Sequence, residues 1–215
     1  MTMSDTMTIE GVTPTLNKTA VDTLSSSEPE WLGERRSHAW SVYEKTPMPT
    51  TRLEEWRYTD LRRKLDLQAL SLSATETAPD DMQAWPMRLR EAMAQDRDAS
   101  GHIVVIDGHV VHADLNADLA AKGVVLESLH EAVKNHPALL QEHLATEAVP
   151  AEEGKFEALN AALWNDGIFL YVPKGVRLDV PVRVTRWFSE PGVAYFSRTL
   201  IVAETACRVS YVDEV

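Results

Sequence analysis

The C-terminal quarter of the chain carries a series of short strand-like runs, and this pattern limits the possible folds more than any other feature. The runs begin roughly every 10–14 residues, and no helical pattern lies between them. Pro173-Lys174-Gly175, Pro191-Gly192 and Glu204-Thr205 separate them as turns. Short strands at a nearly constant spacing predict a sandwich, a barrel or a β-solenoid. The runs are Ile168–Val172, Val182–Trp187, Tyr195–Ala203 and Cys207–Val212.

The sequence stops at Asp213-Glu214-Val215, directly after the last of these runs. Four strands leave an edge of unpaired backbone groups, and a stable solenoid needs several stacked turns and a cap. We therefore expect a truncated chain that can self-associate through its open C-terminal edge. The net charge of −12 opposes association at low ionic strength, so added salt should promote it by screening.

Two sequences of the form Ser-x-x-Glu predict helix starts in the N-terminal part. Ser27 to Glu30 has this capping-box pattern ahead of an apolar face with helical spacing, and Pro47 is expected to end that helix. Ser128 with Glu131 is a second capping box. Its helix should be interrupted, and then restarted, at Pro137.

Residues 102–106 and 109–112 are two β-branched runs on either side of Asp107-Gly108. An Asp-Gly pair tolerates the positive φ angles of a type I′ turn, so the segment predicts a β-hairpin. Regular pairing about this turn places His112 opposite Ile103. On that register the hairpin histidines cannot share one metal ion.

Charge and cysteine content exclude several functional classes. With 33 acidic against 21 basic side chains, the surface should repel a polyphosphate backbone, which argues against nucleic-acid binding. The single cysteine, Cys207, can form neither an internal disulfide nor a thiolate metal cage, and its alternation with Val209 and Tyr211 places it on a buried face. The sequence contains neither a long apolar run nor a signal-peptide pattern, so we expect a cytoplasmic protein without a membrane span.

Residues 49–61 form an unusual segment in which two aromatic side chains lie among charged ones. The spacing of Trp56 and Tyr58 suits neither a helix nor a simple amphipathic strand. We interpret the segment as a structural clamp in which Arg52 pairs with a carboxylate while the two aromatic residues cover an edge of the core. Truncating a buried Trp56 to alanine should then cost on the order of 3–5 kcal/mol.

This segment resembles the N-terminal signature of the SufB/SufD family, the scaffold proteins of the SUF system of iron–sulfur cluster assembly. Further similar blocks follow in order over roughly residues 28–215, and the most specific covers residues 156–176. The form of the signature favours SufD over SufB. The matching positions, to which we assign structural roles, are Arg52, Glu55, Trp56, Tyr58, Asn160, Asp166, Gly167, Pro173 and Gly175.

The resemblance implies an α+β fold, with a small helical N-terminal domain that contains the β-hairpin, followed by the first coils of a right-handed parallel β-helix. We accordingly expect a disordered tail over residues 1–26, an N-terminal domain over residues 27–160 and the start of the β-helix over residues 161–215. Such a β-helix also accounts for continuously apolar runs, because stacked parallel sheets are covered on both faces.

The resemblance further implies a non-enzymatic, SufD-like scaffold subunit that pairs with a SufB-like subunit and a SufC-like ATPase. The full complex assembles the iron–sulfur cluster transiently, and the groups implicated lie in later parts of the family's β-helix. We therefore assign no catalytic, cofactor-binding or metal residue to this chain. The alternatives are a SufB paralogue, a stand-alone β-solenoid binding module and a β-helix acyltransferase, although the last lacks its hexapeptide period.

Overall fold

The computed structural model describes residues 15–73, 81–95, 98–189 and 191–215. Within these ranges the chain is a mixed α+β protein whose strands form three small sheets and no closed barrel. No helix of the described residues has the length and apolar character that crossing a membrane requires. The α-helices are α1 (Lys18–Ser25), α2 (Glu30–Lys45), α3 (Met87–Gln95), α4 (Ala117–Ala121), α5 (Leu129–Asn135), α6 (Pro137–His143) and α7 (Lys155–Leu163).

The strands lie mostly in the C-terminal half, and short 3-10 helices connect several elements. The strands are β1 (Ser71–Leu72), β2 (Gly101–Ile106), β3 (His109–Leu115), β4 (Val125–Ser128), β5 (Asp166–Val172), β6 (Val182–Trp187), β7 (Val193–Ala194), β8 (Ser197–Ala203) and β9 (Tyr211–Glu214). The 3-10 helices are Glu54–Trp56, Leu61–Arg63, Leu67–Ala69, Met82–Ala84 and Ala151–Glu153.

Helix α1 corrects the prediction of a disordered tail over residues 1–26. The side chain of Asn17 caps α1 by accepting a hydrogen bond from the amide of Ala20 at 3.0 Å. Ala20 and Val21 are buried against α2 and α7. The helix is short and rich in Thr, so its apolar face was too small to be recognised in the sequence, and residues 1–14 lie outside the described residues.

Helix α2 ends at Lys45, as the proline at position 47 predicted, but its start differs from the prediction. The N-cap is Pro29, no side chain caps the helix, and Ser27 is therefore not the capping residue. The carboxylate of Glu28 pairs with Arg36 instead, and this contact holds the segment that leads into the helix. The N-cap at Ser128 is confirmed, since its hydroxyl accepts a hydrogen bond from the amide of Glu131 at 3.0 Å, while the carboxylate of Glu131 pairs with Lys134.

The hairpin of β2 and β3 is confirmed, and its turn has φ angles of 49° at Asp107 and 88° at Gly108. Its register differs from regular pairing beyond the first residues. A β-bulge lies between the pairs Val104–His112 and Val105–Val110. His112 is therefore opposite Val104 rather than Ile103, because the bulge inserts one unpaired residue into β3.

The C-terminal strands stack on one another in parallel. β5 pairs with β8, β6 pairs with β9, and Arg177 forms a single parallel bridge with Arg208 between them. All three pairings join positions about 30 residues apart, an interval typical of solenoid repeats. Two successive turns of chain therefore lie in register, and the earlier turn is flanked by β4, antiparallel to β5, and by β2, parallel to β6.

The sequence placed most of these strands correctly. The run Val182–Trp187 is β6, whereas the run Cys207–Val212 was placed too early, since β9 begins at Tyr211. The left-handed backbone of Ala206, with φ of 63°, and the single bridge at Arg208 delay regular pairing. Cys207 packs on the same core cluster as Val209 and Tyr211, as their alternation predicted, but all three are half-buried rather than buried.

Candidate functional site at the helix–strand junction

Three of the residues that the sequence singled out after residue 155 lie where α7 passes into β5, namely Asn160, Asp166 and Gly167. Asn160, near the end of α7, donates a hydrogen bond to the carbonyl of Ser197 at 3.2 Å and accepts one from the Arg198 guanidinium at 3.2 Å. Arg198 also donates to the carbonyl of Val149 at 2.8 Å. Arg198 is buried, and burial lowers the pKa of its guanidinium. This network connects β8 to the helical layer, which consists of α1, α2 and α7.

Asp166, the first residue of β5, joins three separate elements. Its buried carboxylate accepts hydrogen bonds from the amides of Val110 at 3.0 Å, His130 at 3.3 Å and Gly167 at 2.8 Å. Burial raises the pKa of this carboxyl group, and the three amide hydrogen bonds oppose the rise. The carboxylate therefore holds the hairpin and the start of α5 against β5.

Gly167 allows β5 and β8 to approach each other closely. A Cβ atom at this position would overlap the carbonyl oxygen of Arg198 and lie 2.8 Å and 2.9 Å from the C and N atoms of that residue. The neighbouring atoms belong to backbone and cannot rotate away. The position therefore accepts glycine alone.

Pro173 and Gly175 form the turn that follows β5, as the sequence predicted. Gly175 has φ of 75°, a left-handed conformation in which other residues are strained. Its amide donates a hydrogen bond to the carbonyl of Thr205 at 3.1 Å, in the equivalent turn after β8. The turns thus stack as the strands do.

A cleft of about 530 Å³ lies beside Asp166, between α1, the hairpin and α5. Within it His109 Nε2 is 3.4 Å from Ser73 Oγ and 3.3 Å from Asn165 Nδ2. Asn165 Oδ1 is buried and has no hydrogen-bond partner in the described part of the chain. The contact between His109 and Asn165 joins the hairpin to the residue that precedes β5. Nowhere in the described ranges do three or more His, Cys, Asp or Glu side chains group as a metal site would require.

The segment around Trp56 only partly matches its predicted role as a clamp. Trp56 is half-buried and packs on Phe156 of α7, with ring centroids 5.6 Å apart. Tyr58 is 90% exposed, so it does not cover a core edge. The prediction that Arg52 pairs with a carboxylate is also wrong, because Arg52 is exposed and its guanidinium contacts no carboxylate of the described residues. Glu55 is likewise exposed.

Sequence reasoning missed the role of a buried ion pair in the helical layer. Arg36 donates two hydrogen bonds to the carboxylate of Glu28, each at 2.6 Å, and its side chain is 1% exposed. The guanidinium also donates to the carbonyls of Ala162 and Trp164 and lies 4.3 Å from the centre of the Trp164 ring. The sequence did contain a signal for this pair, because Arg36 lies on the same face of α2 as the apolar residues Leu32 and Ala39.

Most of this chain is similar in sequence to proteins of one known family. The family model described as the SufBD protein N-terminal region matches residues 10–184. An iron–sulfur cluster assembly SufBD family protein of Staphylococcus haemolyticus is 29% identical over 188 residues, which cover 86% of this chain and 40% of that protein. A protein of the same description from Mycobacterium tuberculosis H37Rv is 28% identical over 190 residues, or 87% of this chain and 22% of that protein. The chain thus spans two fifths or less of the length of these relatives.

Proposed function

Because the chain belongs to the SufBD family of iron–sulfur cluster assembly proteins, we propose that it is the N-terminal part of a SufD-like scaffold subunit and not an enzyme. The observation that carries the proposal is the family match over residues 10–184, which contain both the signature segment and the junction around Asp166.

The second part of the proposal is that residues 161–215 begin a right-handed parallel β-helix. It is supported by the parallel pairs β5–β8 and β6–β9 and by the stacked turns at Gly175 and Thr205. β8 and β9 each pair on one side only with described strands, so each offers a free edge to a further strand. A second copy of the chain can occupy these edges, and light scattering at increasing salt should then detect association.

The proposed partners of the full-length protein are a SufB-like subunit and a SufC-like ATPase in the cytoplasm. Co-expression of the full-length tagged protein with both partners should yield a complex whose mass, measured by light scattering after gel filtration, contains all three chains. A protein that purifies without either partner would contradict this role.

Complementation separates the SufD-like role from the SufB-like alternative. The full-length gene should restore growth under iron limitation to a bacterial strain that lacks SufD, and should not rescue a strain that lacks SufB. The reverse result would assign the chain to the SufB paralogue.

We also propose that this chain holds no resident iron, and that the cluster is a cargo of the complete complex. Cys207 is the only thiol in the sequence, and iron–sulfur clusters are held by at least two cysteine thiolates. Anaerobic reconstitution followed by iron and sulfide analysis should give far less than one iron per chain. A ratio near one that is lost in Cys207→Ser would contradict the proposal.

A further inference from the structure

A groove of about 770 Å³ lies between the segment that follows α2 and the start of α7. Its apolar lining includes Met48, Leu53, Trp56 and Phe156. The tilted pair of Trp56 and Phe156 supplies aromatic surface, and methionine adapts to partners of different shape. We call this feature the motif groove, because the signature segment forms one of its walls.

The motif groove carries more exposed apolar surface than the fold requires. Leu53 in its wall is 50% exposed. Tyr58, next in sequence to the groove residue Thr59, is 90% exposed and so contributes little to the core. Aromatic residues and methionine are enriched in protein interfaces, and tryptophan and tyrosine often supply much of the binding energy. The exposed apolar side chains therefore indicate an interaction surface.

The charges of the motif groove indicate the chemistry of its occupant. Glu55 and Glu153 are both exposed, and neither forms an ion pair within the described ranges. Lys155 also lines the groove, but its ammonium group lies 3.7 Å from the centre of the Tyr43 ring and donates to the Tyr43 carbonyl. The lysine charge is thus directed elsewhere, and the groove presents carboxylates beside an apolar floor.

We propose that the motif groove docks a basic segment of a partner polypeptide. This segment places a bulky apolar side chain against Trp56 and Phe156, and lysine or arginine side chains beside Glu55 and Glu153. The opposite charges would speed association and select against acidic partners, while the apolar contact would supply most of the affinity. The motif groove would bind such a segment whether the chain is SufD-like or SufB-like.

Selection from a random peptide library displayed on phage tests the proposal on the immobilised full-length protein. Enriched peptides should carry a large apolar residue flanked by lysine or arginine. A fluorescein-labelled synthetic copy of the most enriched peptide should bind more weakly as salt increases, because salt screens the carboxylates. Its affinity, measured by fluorescence anisotropy, should fall at least about ten-fold in Leu53→Ala and in the double variant Glu55→Lys/Glu153→Lys, a loss of about 1.4 kcal/mol.

The matched control is Met87→Ala on α3, which removes an apolar side chain that is 64% exposed outside the groove. It should bind the peptide as the unchanged protein does, and all variants should keep their thermal midpoint because the altered side chains are exposed. Failure to enrich peptides, an acidic consensus, or equal affinity in every variant would overturn the proposal. So would a dimer that Leu53→Ala dissociates, because a second copy would then be the occupant.

Discussion

The backbone of Gly167 lies so close to that of Arg198 that no side chain fits between the two residues. They are partners in the β5–β8 register, and the guanidinium of Arg198 returns to Asn160 on α7. One residue of β8 is therefore fixed through its backbone by a neighbouring strand and through its side chain by the helical layer.

Gly167→Ala should be strongly destabilising. The new methyl group would overlap the carbonyl oxygen of Arg198 and force β5 and β8 apart. We expect a loss of at least about 3 kcal/mol in the free energy of unfolding, the upper part of the range for overpacked sites. Urea denaturation followed by circular dichroism measures it.

Gly33→Ala is the control, since a Cβ at that helical position would meet Ser25 at an ordinary 3.4 Å. Alanine is also the better helix former, so this variant should be neutral or slightly stabilised. Equal destabilisation by the two substitutions would show that β5 and β8 separate at little cost.

Asp166 should make stability depend on pH in a direction unusual for an aspartate. Burial raises the pKa of its carboxyl group in the folded protein, so the folded state binds the proton more tightly than the unfolded state. The resulting stabilisation is present at low pH and is lost as pH rises through the folded pKa. Relative to Asp166→Asn, the unchanged protein should therefore lose stability as pH rises from about 4.

Urea titrations of both proteins over this pH range measure the difference. Asp166→Asn itself should be less stable, by about 1–3 kcal/mol, because its amide cannot satisfy all three backbone donors. A stability difference that grows with pH would mean that the hydrogen bonds from Val110, His130 and Gly167 outweigh burial and lower the pKa of Asp166.

Arg36→Ala should cost about 3–5 kcal/mol, because it leaves the carboxylate of Glu28 buried without its partner. Lys18→Ala removes the exposed pair with Asp22 and should cost no more than about 0.5 kcal/mol. Thermal denaturation of the two variants provides the comparison. Similar midpoints would show that water reaches Glu28 in the folded protein.

Trp164→Ala should be much more damaging than Trp56→Ala. Trp164 is 1% exposed within the helical core, so its truncation should cost about 3–5 kcal/mol. Trp56 is only half-buried on Phe156, and we expect a loss of about 1–2 kcal/mol, which revises the larger value inferred from the sequence alone. Equal losses in urea denaturation would restore Trp56 as a principal anchor.

The sequence predicted elements best where local rules decide the structure. Three such predictions are confirmed, and each depends on residues close together in sequence: the Asp107-Gly108 turn, the cap at Ser128 and the strand β6. The register at His112 was wrong because a bulge is set by packing across the sheet. The helix at α1 was missed because its own apolar face is small and part of the surface that buries it belongs to α7, which is distant in sequence.

For the site residues too, local sequence predicted which positions matter but not which distant residues they contact. The matching positions Asn160, Asp166 and Gly167 meet at one junction, yet nothing local indicated that their partners include Val110, His130 and Arg198. The Arg52 prediction failed because an exposed arginine gains little from a salt bridge in water. Long-range contacts of buried polar groups therefore account for most of what the sequence could not supply.

The hydrogen bond from Arg36 to the carbonyl of Trp164 joins residues 128 positions apart, so the ribosome makes its two partners at different times. At about 5–20 residues per second, a ribosome needs roughly 6 to 26 s to make the second partner after the first. Until Trp164 has been made, α2 lacks part of the surface that covers its arginine and its apolar face. An α2 helix that emerges from the ribosome before then exposes apolar surface of the kind that chaperones recognise, and the rate of translation up to residue 164 sets how long it does so.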